Sequence, residues 1–208
     1  VSVGPVAAYS TLGWFADPVV SSVLNYSEPD LAGLVFHELA HERVYIKDDT
    51  TFNESFATFV EREGVRRWLA SCGQQVDIPR LEKFQAQRDA VIDLIRGARG
   101  ELQVLYMEAL SAEEMRWRKV AVFDQLQADY SQMRRAGDAN DWGDWFANNL
   151  NNAKLASIGA YHDRVEYFEQ LFERANRNFE VFYRLVEQLG DSPREDRNRL
   201  LQMRSENG

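Results

Sequence analysis

The sequence predicts a mainly α protein with a small β element near its start and a helical C-terminal part. Three observations predict it. From Ser27 onward, apolar residues recur at helical spacing, as in Leu31, Leu34, Val35 and Leu39. Hydroxyl residues followed three positions later by an acid stand before several of these runs. Gly4, Pro5, Gly13 and Pro18 break up the opening stretch, which is short of helix formers.

Taken in order, Ala7 to Phe15 (AAYSTLGWF) is rich in aromatic and hydroxylated residues and predicts one strand. Ser27 as N-cap, with Pro29 in the first turn and Asp30 three residues on, predicts a helix to about Arg43. Thr51 with Glu54 makes a second capping-box pattern. The helix it opens, apolar at Phe52, Phe56, Phe59, Val60 and Trp68, should end near Gly73. Beyond Pro79 a helix is predicted from about Arg80 to Leu110, and another starts at Ser111 with Glu114 as partner. Gly137 to Trp145 (GDANDWGDW) reads as a loop. Helices then cover about Asn148 to Ala175, Phe179 to Leu189 and Pro193 to Met203.

At 208 residues and 45% hydrophobic, with 12 Phe, 8 Tyr and 5 Trp, the chain can bury a sizeable core, so general disorder is excluded. The net charge is −9 and no basic stripe carries interleaved aromatics, which argues against nucleic acid or an anionic membrane surface as partner. One cysteine, Cys72, excludes an internal disulfide framework and a thiolate metal site. No apolar run approaches the roughly 20 residues that span a bilayer. The chain opens on Val1 rather than Met, so an upstream segment is expected.

The chemistry concentrates in His37-Glu38-Leu39-Ala40-His41. Two histidines at i and i+4 share one helix face, so both rings can reach one metal ion. Glu38 follows the first ligand and lies beside the metal, where a carboxylate serves as general base for hydrolysis. Leu39 and Ala40 are apolar, as a buried active-site helix needs. Two of the three histidines in the chain fall in this motif.

A catalytic zinc needs a third protein ligand and one open position. His162, Glu54 and Glu61 are the candidates. Glu54 follows His41 after twelve intervening residues and begins the next helix; Glu61 lies two turns further on the same face. One of these carboxylates would ligate and the other would accept a hydrogen bond from a ligating imidazole.

The run FNESFA after an HELAH helix resembles the glutamate-ligated zinc peptidases, above all the NEGFA segment of zinc aminopeptidases. The resemblance implies His37, His41 and Glu54 as ligands of one Zn2+ ion and Glu38 as base. The link from second histidine to glutamate is shorter here than in those enzymes, and Glu61 would restore their spacing. Further runs, AAYSTLGWF, GLVFHELAHERVYIKDDTTFNESFATFVEREG and NNAKLASIGAYHDRVEYFEQLFERA, resemble the bacterial family of predicted aminopeptidases. That implies a zincin-like metallopeptidase domain over 1–208, with a zinc-binding core at 1–75 and a helical part at 76–208. It also implies a longer precursor with an N-terminal lipoprotein signal, hence a periplasmic or membrane-anchored enzyme acting on peptide or protein substrates.

Within this frame Ala7 to Trp14 is placed to pair with a substrate backbone by strand addition, or to serve as a plain structural strand. Tyr161 matches a tyrosine of the family's NNA…Y run and would stabilise the oxyanion; His162 is its neighbour. Asn151 and Asn152 would bind a substrate terminus or cap a helix. The expected reaction is zinc-dependent peptide-bond hydrolysis, as an aminopeptidase. A zinc endopeptidase of narrow specificity and a non-catalytic helical zinc-binding scaffold are the alternatives.

Overall fold

The computed structural model describes residues 26–74, 77–147, 150–162 and 164–202. Helix is the only regular structure among them, in nine segments. The strand expected at Ala7–Phe15 lies outside the described residues. No helix of the described residues is long and apolar enough to cross a membrane.

The described residues form two compact units. One contains α1 (Glu28–Arg43), α2 (Thr50–Ser71), α7 (Val165–Arg174), α8 (Phe179–Gly190) and α9 (Arg194–Gln202). The other contains α3 (Ile78–Leu105), α4 (Ala112–Ala136), α5 (Gly143–Ala147) and α6 (Asn152–His162) as far as Gly159.

In the first unit α1 starts as its sequence dictates: the Ser27 hydroxyl accepts from the Asp30 N–H, and Pro29 occupies the first turn. The start of α2 differs from expectation. Asp49, not Thr51, is the N-cap: its carboxylate accepts from the Phe52 N–H at 3.2 Å, and its carbonyl takes the first helical bond, from Asn53. An aspartate caps as well as a hydroxyl does, and the earlier start leaves Glu54 a full turn inside the helix. The following core is aromatic. Phe52 and Phe56 of α2 meet the edge of Phe168 on α7 at 5.2 and 5.7 Å, and Phe59 packs against Phe172 and Phe182. On α8, Phe182, Val186 and Leu189 supply one face at i, i+4 and i+7.

Helices α1 and α2 approach closely because glycine faces side chain in both directions. A Cβ on Gly33 would lie 3.3 Å from Glu61 Cγ, and one on Gly64 would lie 2.8 Å from the Phe36 ring. The expectation of a uniformly buried motif is corrected here: Ala40 is buried, but Leu39 is 51% exposed, since it projects from α1 away from α2.

In the second unit α3 and α4 pair over Val91, Ile95, Ala98 and Leu102 from one side and Leu126 and Tyr130 from the other. Helix α3 stops at Leu105 rather than near Leu110, because the next N–H groups bond three residues back (Met107 to Val104, Glu108 to Leu105) and the turn tightens. Gly137 closes α4 in the left-handed region, at φ 79°. The loop read from Gly137 ends sooner than expected, because Asp141 accepts from the Gly143 N–H and starts α5. The single helix expected over 148–175 is two, α6 and α7. Asn151 caps the first through the Lys154 N–H, and Arg164, at φ −132°, stands before the second.

Candidate metal centre

The motif helix α1 and the first turns of α2 bring four polar side chains together. His37 and His41, one turn apart, stand with ring centroids 4.9 Å apart and planes nearly perpendicular. Glu54 reaches both from α2: its Oε2 lies 3.3 Å from His37 Nε2 and 3.7 Å from His41 Nε2. Glu61, two turns further along α2, sits on the other side of His37, with Oε2 3.1 Å from Nδ1. The two glutamates thus divide the work: Glu54 faces both Nε2 atoms, and Glu61 faces the back of one ring.

Glu54 is held in place from its own helix. The Asn53 side chain donates to the Ile46 carbonyl and accepts from the Ile46 N–H, both at 2.8 Å. That amide clamps the connection between α1 and α2 to the residue beside Glu54. The Ile46 side chain of this connection rests on Gly190 of α8, so that a Cβ at Gly190 would push the Ile46 tip aside.

Burial alone would lower the pKa of His37, but the hydrogen bonds to Glu54 and Glu61 outweigh it and lift the ring to about 9. Burial conversely favours protonation of Glu54, and the two imidazoles overcome it, bringing the carboxyl down to about 2. The pocket therefore selects for positive charge between Glu54 and the rings. In the metal-free protein a proton on His37 Nε2 supplies it.

One donor atom from each of His37, His41 and Glu54 falls within 4.8 Å of the others, a set able to hold a metal ion. Zinc bonds of about 2.1 Å in a tetrahedron put ligand atoms about 3.4 Å apart. The two Glu54 distances match that edge. Neutral imidazole and carboxylate are the donors zinc takes, and a carboxylate on the rear nitrogen is the partner that orients a zinc-ligating histidine. The residues present fit the ion. His41 Nδ1 is buried and has no hydrogen-bond partner among the described residues.

Glu38 is part-buried on α1, one residue after His37. The backbone of Tyr161 and His162 lies in α6, but their side chains are outside the described residues. Asn151 caps α6, and Asn152 pairs with the Tyr106 hydroxyl. Sequence reasoning missed the contacts behind the site, Asn53 to Ile46 and Asp49 to Arg197. An aspartate just before TTF was a visible cap signal, whereas nothing in the sequence points to Arg197.

A family model described as "Putative aminopeptidase" matches residues 1–201. No curated protein and no solved structure matches.

Proposed function

Because the chain belongs to that aminopeptidase family, we propose that it is a zinc-dependent peptidase with His37, His41 and Glu54 as ligands. The observation that carries this reading is the convergence of Glu54 Oε2 on both Nε2 atoms. Bound zinc would polarise the scissile carbonyl and activate the attacking water.

The chain's own residues supply the rest. Glu61 accepts from His37 Nδ1–H and so fixes the tautomer that leaves the Nε2 lone pair for the ion. Glu54 brings one negative charge, leaving the site cationic enough to bind a peptide carbonyl. Glu38 takes the proton from the attacking water and passes it to the leaving amine. Tyr161 donates to the oxyanion of the tetrahedral intermediate, a role resting on the resemblance of its sequence run. Cleavage at the amino terminus, and a periplasmic or lipid-anchored location, likewise follow from the family resemblance.

Metal analysis of protein purified without chelator should find about one zinc per chain, and a chain free of zinc would sink the assignment. Glu38→Gln should keep the zinc and lose on the order of 10²–10⁴ in peptidase rate. Equal activity in variant and parent would instead favour a zinc-binding scaffold. Digestion of a peptide library separates trimming from the amino end from internal cleavage.

A further inference from the structure

Helix α9 packs in an unusual way. Of its residues 194–200, Arg197 alone is buried, and its side chain is only 5% exposed. Leu200, the apolar residue nearest in sequence, is exposed. Over the described side chains 194–200 the helix buries an arginine and no apolar residue, so this stretch is docked by polar contacts. Such buried pairs contribute little net stability, because desolvation roughly cancels attraction. What they fix is geometry.

The contacts of Arg197 show which geometry. Its Nε donates to Asp49 Oδ2 at 3.0 Å, and Asp49 is itself almost fully buried. Its Nη1 donates to the carbonyls of Gly190 and Ser192 at 3.0 and 2.8 Å, so its direction is set by the end of α8. Its guanidinium also lies over the Phe52 ring at 5.5 Å. A second arginine reaches the same carboxylate: Arg164, before α7, donates to Asn198 at 2.7 Å and approaches Asp49 at 3.6 Å. Asp49 therefore joins two roles. One carboxylate oxygen caps α2, and the other is held by α9. Glu54 lies one turn beyond that cap, and Phe52, under the guanidinium, lies between them in sequence.

We infer that Arg197, acting through Asp49, is a positioning residue for the metal centre: α9 is a latch that fixes the first turn of α2 so that Glu54 meets both histidines. The inference rests on the zinc reading of that centre. Loss of the latch leaves the aromatic core of α2 intact but frees its first turn to shift, and the two Glu54 distances shift with it.

The test is zinc affinity of the full chain, measured by chelator competition well below the melting temperature, with the visible spectrum of the Co2+-substituted protein as second readout. Arg197→Met and Asp49→Asn should each weaken zinc about 10- to 100-fold, as losses behind a ligand do, and change the Co2+ bands. Arg197→Lys should restore part of the affinity. Asparagine still caps a helix, so Asp49→Asn decides the matter should Arg197→Met fail to fold. Arg199→Ala, on the exposed side of α9, should match the parent. Folded Asp49→Asn with parental affinity and spectrum would overturn the inference, while leaving the zinc reading intact. A parent that takes up no zinc, or a His41→Ala variant that binds as well as the parent, overturns the zinc reading itself.

Discussion

His37 is asked to satisfy two carboxylates at once, and this sets the pH behaviour of the site. In the metal-free protein its folded pKa of about 9 lies above the ordinary 6.5, so its contribution to stability is complete below pH 6.5 and lost as pH rises through 9. Glu54, at about 2 against an ordinary 4.5, contributes above pH 4.5 and loses that contribution as pH falls through 2. Thermal unfolding of the metal-free chain should therefore show a decline in melting temperature between pH 6.5 and 9. Zinc must displace the His37 proton, so its affinity should rise by about tenfold per pH unit over the same range and level off above it. A flat profile in titrations by calorimetry would mean that His37 is not a ligand. Glu61→Gln removes the acceptor behind the ring and should weaken zinc about 10- to 100-fold. The placing of His37 and His41 on one helix face was legible from five consecutive residues. Spacing alone does not separate Glu54 from Glu61, because both lie on one face of α2. The resemblance of its flanking residues favours Glu54, and the nitrogen each carboxylate meets depends on the approach of α1. Arg197 was illegible for a plainer reason: its partner lies 148 residues away.

At the scale of elements, the site is a consequence of how near α1 and α2 can come. Gly64 has the Phe36 ring where a Cβ would stand, at 2.8 Å, and the atoms met are at the root of the ring rather than at a flexible end. Gly64→Ala gains up to about 1 kcal/mol of helix propensity, but overpacking costs about 1–3 kcal/mol. The clash wins because Phe36 lies on the neighbouring helix, one residue before His37, and cannot swing aside without moving it. We expect a lower melting temperature together with weaker zinc binding, the second distinguishing a displaced α1 from a merely strained core. An unchanged zinc affinity would show that the ring relaxes locally. Helix starts were partly legible here. Ser27 capped as its sequence indicated, whereas Thr51 lost to Asp49, a competition between two good caps that sequence spacing does not resolve. The long apolar pattern after Asn148 hid a break, since α6 and α7 each keep helical periodicity up to their junction.

At the scale of the whole molecule, the proposed ligands all belong to the unit built on the aromatic core of α1, α2, α7 and α8. Helices α3 to α5 have a core of their own, centred on Val91, Ile95, Leu102 and the Tyr130–Phe146 stack at 3.9 Å. A ligand that binds only the folded form of one unit stabilises that unit by RT ln(1 + [L]/Kd), about 2.7 kcal/mol at a hundredfold excess over Kd. Amides of α1 and α2 should therefore gain hydrogen-exchange protection on adding zinc, by roughly a hundredfold under that excess. Amides of α3 and α4 should exchange as before, because their opening leaves His37, His41 and Glu54 in place. Equal gains in both sets would mean that the two cores open together as one cooperative unit. Gains confined to α3 and α4 would contradict the ligand assignment outright. The same experiment on Asp49→Asn separates the latch from the metal. With zinc absent, protection should fall at the first turn of α2 and in α9, and not in α3 or α4. A loss spread evenly over α2 and α7 would instead mean that the Asp49–Arg197 pair holds up the aromatic core as a whole.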